Sequence, residues 1–325
     1  MQKNIYGLLS QASGYISGEE ISEKLGISRQ AVWKNINKLK EQGFVIESVT
    51  NRGYRLIKTP DNLCKLALDG YLQTDSLGKN AIILDSSPST NDSLKALASQ
   101  GAQEGTVIAA REQTKGKGRL GRSWVCKKDE SLTFSLLLRP KAAPAQVSAV
   151  TPLTGLAVCR AVRDYYGIDC KIKWPNDIIV NNKKLVGILA EMGAEFDAVE
   201  YIVLGIGINT DQEEFPKEIA DKATSIFIET GKHTDKNRFL AVLLKYLEEE
   251  FMSNGECRLS LEGDKLELYK ELCATLGRKI SFFRGSEKIS AFSRDIDSKG
   301  ELLAEDEKGR IFTVNSGEVT VQGIY

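Results

Sequence analysis

The run KWPNDIIVNNKKLVGILAEM, residues 173–192, constrains the fold more than any other stretch. Two strand-like pieces, IIV (178–180) and LVGILAEM (185–192), are joined only by NNKK, too short a link for anything but antiparallel neighbours. Pro175 turns Trp174 away from helix. Further strands are expected at AIILD (81–85), TVIAA (106–110), LTFSLLL (132–138), IKW (172–174) and YIVLGIGIN (201–209). One helix is expected to start near Thr90 and stop by Gly101, and a second to cover 147–166. The second carries Val147, Val150, Thr154, Ala157, Val158, Ala161, Val162 and Tyr165 on one face, and Gly167 follows it. Later helices are expected near 236–252 and 262–275. The pattern is α+β: a mixed, largely antiparallel central sheet over 66–275, with helices on one side.

The first 60 residues have another character. A helix over 3–10 is followed by Ser17, three residues before Glu20, a capping-box spacing that opens a helix through Lys24. Ser28 caps the next, whose buried stripe is Val32, Ile36 and Leu39, and Gly43 can end it in a left-handed cap. FVIESV (44–49) and YRLI (54–57) flank TNRG as a hairpin. Helices across a tight turn plus a hairpin describe a winged helix-turn-helix. This head holds nine Lys/Arg against five Glu, a net +4, and leaves −4 for the remainder of a chain of zero net charge. A basic head points to a polyanion partner. Arg29, Gln30, Lys34, Asn35 and Lys38 lie off the apolar stripe of the third helix, suited to base edges and phosphates. Ser28 starts that helix, and Arg52 on the hairpin tip is placed to reach backbone or minor groove. TPDNLCK (59–65) reads as the linker.

The tail, 276–325, breaks into KISFFR, ELLAED, RIFTV and GEVTVQ between glycine-containing turns, the spacing of a small β-barrel. A length of 325 residues suits two or three such domains. No apolar run reaches the roughly 20 residues that span a bilayer. The first residues show no long apolar core with a cleavage site, so no secretory leader is expected. Six cysteines without CxxC spacing suit a reducing cytoplasm. With His233 as the only histidine, a histidine-built metal site or a Ser-His-Asp triad is disfavoured.

GKGRLGRSW (116–124) carries the chemistry. It comes near the P-loop pattern, with Arg122 in the lysine place, but the next residues read as loop and then strand, where a P-loop needs a helix. The glycines let amides approach an anion and let the loop move. Arg119 can grip phosphate or carboxylate through a planar fork, and Trp124 offers a flat apolar face. Asp177 is a plausible Mg²⁺ ligand, and one of Lys183 and Lys184 should point away from any site the other enters. SPSTN (87–91) reads alone as a helix cap.

Together GKGRLGRSW, KWPND…KKLVGIL, STN and GIGIN resemble the biotin–protein ligases. The head resembles their bifunctional members that also repress the biotin operon. The resemblance implies a class II synthetase-like central domain and an SH3-like C-terminal barrel. It implies that biotin and ATP give biotinoyl-5′-AMP, and that biotin then passes to one lysine of a carrier domain of acetyl-CoA carboxylase or a similar enzyme. Ser89, Thr90, Asn91 and Gln113 would line the biotin pocket, and Lys117, Gly118 and Arg119 would cover the ligand. Lys184 would meet the carboxylate and α-phosphate, with Arg119 and Asp177 as its catalytic companions. Gly116, Arg122, Trp124, Asn176 and Asn209 would serve the nucleotide, and Asp177 its Mg²⁺. No tightly bound prosthetic group is implied. Operator DNA and a second copy of the chain are the other partners, and no membrane is involved. Two alternatives remain at this point: a ligand-sensing regulator without ligase activity, and a lipoate-type ligase.

Overall fold

A computed structural model of the chain describes residues 1–124, 126–195, 198–315 and 319–325, without the side chains of 144–146 and 195. They form two units: Met1–Leu72 with Asp235–Arg238, and Gln73–Thr234 with Phe239–Tyr325.

In the first unit, α1 (Gln2–Gln11), α2 (Gly18–Leu25) and α3 (Arg29–Glu41) precede a hairpin of β1 (Val45–Val49) and β2 (Gly53–Lys58). Both expected caps form: Ser17 Oγ accepts from Glu20 N–H at 3.0 Å, and Ser28 Oγ from Ala31 N–H at 3.2 Å. Val32, Ile36 and Leu39 are buried against Ile5, Leu9 and Ile21. Gly53 has φ +101°, and a Cβ there would sit 2.1 Å from the Ile16 carbonyl oxygen. Only glycine lets the hairpin close onto Ile16, which bridges Tyr54. A fourth helix, α4 (Lys65–Tyr71), follows. The expected boundary lay at 60, but Ala67 is fully buried in the core of the head, so the compact unit runs on to Leu72.

The second unit holds β3 (Ala81–Leu84), α5 (Thr90–Ala98), β4 (Val107–Ala110), β5 (Ser131–Leu138), α6 (Val150–Tyr166), β6 (Lys171–Lys173), β7 (Asp177–Val180), β8 (Lys183–Glu195) and β9 (Ala198–Asn209). Their seven-stranded sheet runs β3-β4-β5-β9-β8-β7-β6. Among the described residues only the β3–β4 pairing of this sheet is parallel, so the sheet is mixed, as expected. Every residue of β5 is buried, so both faces of the sheet are covered there, not one as expected. Leu94 and Ala98 of α5 pack on Ile108, Leu137 and Val203 and fix that helix over β4, β5 and β9. The turn between β7 and β8 is Asn181 and Asn182 alone, with φ 49° and 63°, the left-handed pair a two-residue hairpin demands. Lys183 and Lys184 are therefore strand residues with opposite directions.

Beyond the sheet come α7 (Ile226–Thr230), α8 (Lys236–Phe251), the short pair β10 (Met252–Ser253) and β11 (Glu256–Cys257), and α9 (Asp264–Leu272). The tail is a five-stranded antiparallel sheet of β12 (Lys279–Arg284), β13 (Glu287–Ile296), β14 (Leu302–Glu305), β15 (Ile311–Val314) and β16 (Thr320–Val321), ordered β15-β14-β13-β12-β16. The sequence did not announce β13. Its buried face is Ile289, Ala291, Ser293 and Ile296, and small and polar residues hide the alternation. In the expected strand GEVTVQ, Gly317 and Glu318 lie outside the described residues. Among the described residues no helix is long and apolar enough to cross a membrane.

Candidate functional site

Register builds the floor of the site. Ser135 on β5, Gly205 on β9 and Leu189 on β8 lie side by side. Gly205 leaves room for Asn91, the second residue of α5, whose Oδ1 would lie 2.3 Å from a Cβ at 205. Asn91 Oδ1 accepts from Ser135 Oγ at 2.5 Å, and its Nδ2 donates to Glu191 Oε2 at 2.7 Å and to the Leu189 carbonyl at 3.3 Å. Lys95 Nζ reaches the same Glu191 at 2.6 Å. Burial alone would lower the Lys95 pKa, yet Glu191 raises it. Thr90 donates from its N–H and Oγ1 to Gln113 Oε1 at 2.8 and 3.1 Å. Ser89 does cap α5, accepting from Asp92 N–H at 3.4 Å. Ser89, Thr90, Asn91 and Gln113 line a cavity of about 60 Å³, with Leu189 and Gly205 beside them.

The loop 116–124 is a small hairpin. Trp124 N–H donates to Gly116 O at 2.9 Å and Gly118 N–H to Arg122 O at 2.7 Å. Its tip is a 3₁₀ turn over Arg119–Gly121 in which Leu120 takes φ 55° and is 71% exposed. Lys117 Nζ holds Asp92 at 2.6 Å, which ties the loop to α5 and keeps the Asp92 carboxyl below its usual range. Arg119 Nη1 donates to Asn176 Oδ1 at 3.0 Å, and Asn176 Nδ2 to the Ile188 carbonyl at 3.0 Å. The Trp124 indole lies over bare main chain: a Cβ at Gly207 would come within 2.6 Å of it, and one at Gly187 within 3.0 Å. Its buried Nε1 has no hydrogen-bond partner among the described residues.

On the far side of the loop a larger cavity of about 490 Å³ opens, sharing Gly118, Arg119, Trp124, Asn176 and Lys184 with the smaller one. Arg122, Asp177 and Asn209 also line it. Lys184 enters both cavities, 2.6 Å from Asp177 Oδ1 and 5.7 Å from the Trp124 ring centroid. Lys183 instead donates to the Ala220 carbonyl at 3.2 Å. The pair is thereby told apart. Two expectations change. Gly116 is buried behind the Trp124 carbonyl and lines neither cavity. Asn209 lines the larger one, but its amide is spent on the carbonyls of Thr224 and Lys184 at 3.0 and 3.4 Å.

On the head, Gln30, Lys34 and Lys38 are exposed along α3, while Ser28 is spent on its cap. Arg29 pairs with Glu19, and Asn35 donates to the Ala31 carbonyl at 2.8 Å. Arg52 lies on the Tyr15 ring, 4.3 Å from its centroid. Trp33, absent from the sequence candidates, is 59% exposed on the same helix. In the other unit the sequence missed Ser135, Glu191 and Tyr325, whose hydroxyl donates to Asp177. Each meets its partner from more than 40 residues away, and no local pattern announces it.

The biotin/lipoate A/B protein ligase family model matches residues 83–209, and a helix-turn-helix domain model matches 2–55. The bifunctional ligase/repressor BirA of Bacillus subtilis is 36% identical over 315 residues, 95% of this chain and 95% of its own. Its counterpart in Escherichia coli is 28% identical over 94% of this chain and 92% of its own. Among solved structures, a biotin protein ligase from Aquifex aeolicus in complex with biotin and ATP aligns with TM-score 0.63 and 32% identity, over 75% of this chain and 99% of its own.

Proposed function

We propose, because the chain belongs to the family of bifunctional ligase/repressors, that it joins biotin to ATP and then to a carrier lysine, and that its head represses transcription in response to biotin. In the first step the biotin carboxylate attacks the α-phosphorus, and pyrophosphate leaves. In the second a carrier lysine attacks the acyl carbon, and AMP leaves. The observation that carries the reading is Lys184, whose ammonium enters both cavities at their junction. A carboxylate and a triphosphate repel each other, and a fixed ammonium between them offsets the charge that gathers at phosphorus. The small cavity takes the biotin ring system: Ser89, Thr90, Asn91 and Gln113 face its neutral ureido group. Lys117, Gly118 and Arg119 cover ligand and phosphate. Arg122, Trp124 and Asn176 serve the nucleotide in the larger cavity. The closed loop keeps water from the acyl-adenylate until the acceptor arrives.

Mg²⁺ accompanies the nucleotide in this reading. Asp177 fits it: Oδ1 is buried and, although Lys184 Nζ lies 2.6 Å away as an ion pair, takes no hydrogen bond of good direction among the described residues. Asp177 would hold the ion, which when bound neutralises phosphate charge. The central unit is read as a class II synthetase-like domain and the five-stranded tail as an SH3-like barrel; their antiparallel strand orders support this. Further proposed features are a cytoplasmic location, carrier domains of acetyl-CoA carboxylase or other biotin-dependent carboxylases as acceptors, and pairing of two copies on ligand or operator DNA.

The deciding experiment mixes the protein, ATP, Mg²⁺ and biotin with a biotin carrier domain and weighs the carrier. A mass gain of one biotinoyl group is expected, and an unchanged mass overturns the ligase reading. For the head, binding to biotin-gene promoter DNA should weaken with salt at a log–log slope near −0.9 per phosphate neutralised. Absence of any shift leaves only the ligase.

A further inference from the structure

Tyr325 is delivered to the larger cavity by the tail. Its neighbour Ile324 is buried and donates its N–H to the Val321 carbonyl at 3.2 Å, anchoring this stretch on β16. From there the Tyr325 hydroxyl donates to Asp177 Oδ2. The ring lies over Lys173, whose Nζ is 3.5 Å from its centroid and which is only 9% exposed. Burial, and then the Asp177 carboxylate, push the phenol pKa far up, against a lesser pull from Arg122. A tyrosine hydroxyl, with an ordinary pKa of about 10, is a donor at neutral pH whatever the shift.

We infer that Tyr325 is a positioning residue for the activation step: its hydroxyl holds Asp177 Oδ2, so that Oδ1 stays turned toward Lys184 and the nucleotide cavity. The carboxylate has two oxygens and two neighbours. Without the phenol it is free to rotate and grip Lys184 with both oxygens. That rotation would draw the ammonium from the junction of the cavities and turn Oδ1 from the phosphates. The tail thereby sets the charge geometry of a site whose other named residues come from the sheet, its loops and α5. The inference rests on the ligase reading above.

The test uses the full chain with Tyr325→Phe, which keeps the ring over Lys173 and removes only the hydroxyl. A hydrogen bond to a charged group is lost, so affinity for Mg²⁺ with α,β-methylene-ATP, which cannot release pyrophosphate, should fall about tenfold by calorimetry. The apparent KM for ATP in adenylate formation should rise to match. Biotin binding without nucleotide and the Tm should stay at wild-type values. In an Asp177→Asn background the same substitution should cost less than twofold, because its target is already altered. Wild-type nucleotide affinity in Tyr325→Phe overturns the inference. So does an equal loss of biotin binding and Tm, which marks a structural role, and so does full additivity with Asp177→Asn. A wild-type protein that makes no AMP overturns the ligase reading instead, so the two failures are distinct.

Discussion

Gly205→Ala measures how rigid the floor of the smaller cavity is. A methyl there would lie 2.3 Å from Asn91 Oδ1, 2.9 Å from its Cγ and 3.0 Å from its Nδ2. Nonbonded carbon contacts prefer about 3.5–4.0 Å, so Asn91 must retreat by about 1 Å. It is poorly placed to do so, being 4% exposed and bonded to Ser135, Glu191 and the Leu189 carbonyl. Overpacking costs about 1–3 kcal/mol. Breaking the Ser135 bond adds about 1 kcal/mol. At about 2–4 °C per kcal/mol for a unit of this size, the Tm should fall by about 4–16 °C. The methyl also enters a cavity of only about 60 Å³. Biotin affinity, measured by calorimetry without ATP, should fall about 10- to 100-fold, equivalent to about 1.4–2.8 kcal/mol. Gly155→Ala, inside α6, is the control: the nearest atom there is 3.6 Å away, so biotin affinity should hold and the Tm should not fall. Biotin affinity within threefold of wild type in Gly205→Ala would refute the reasoning.

Arg119→Gly removes the donor to Asn176 and should leave adenylation measurable while the intermediate escapes about one to two decades faster, seen as biotin on bystander proteins; labelling confined to the carrier would count against it. Lys184→Ala leaves Asp177 beside an empty place and should abolish most pyrophosphate release, so near-normal release would remove Lys184 from the mechanism. Because Lys117 lowers the Asp92 pKa, their pair is complete above the ordinary aspartate value of about 3.9 and is lost only as pH falls through the lowered one. Intermediate retention should therefore be flat on this account from about pH 5 to 8, and a Lys117→Met variant should show the same flat profile at a faster release rate; a wild-type step between pH 5 and 7 would contradict the assignment.

Local signals found the elements whose causes are local. Ser17 and Ser28 cap because an oxygen three residues ahead of an amide is a property of the chain itself. The β7–β8 hairpin follows from two asparagines that tolerate positive φ. β13 escaped because Ser293, fully buried, is polar by composition and satisfied from a distance, donating to the Thr275 carbonyl at 2.6 Å and accepting from Arg278 N–H at 3.1 Å. In the site, GKGRLGRSW marked the loop, but its attachments did not show: Lys117 to Asp92 and Arg119 to Asn176 are tertiary facts. Asn209 sits at the end of a recognisable GIGIN, yet its amide serves backbone carbonyls of Thr224 and Lys184. Residue type cannot distinguish an amide that faces a ligand from one that braces a strand.

Asn91 joins three strands through one small side chain: it hydrogen-bonds Ser135 and Glu191 and nearly touches Gly205. Any attempt to reshape the enzyme for an altered vitamin meets epistasis here. Changing Asn91, Ser135 or Glu191 singly strands the groups that remain, so a one-position library samples mostly broken networks. Leu189 gives this patch only its carbonyl. Its side chain is thus the natural place for an engineer to begin.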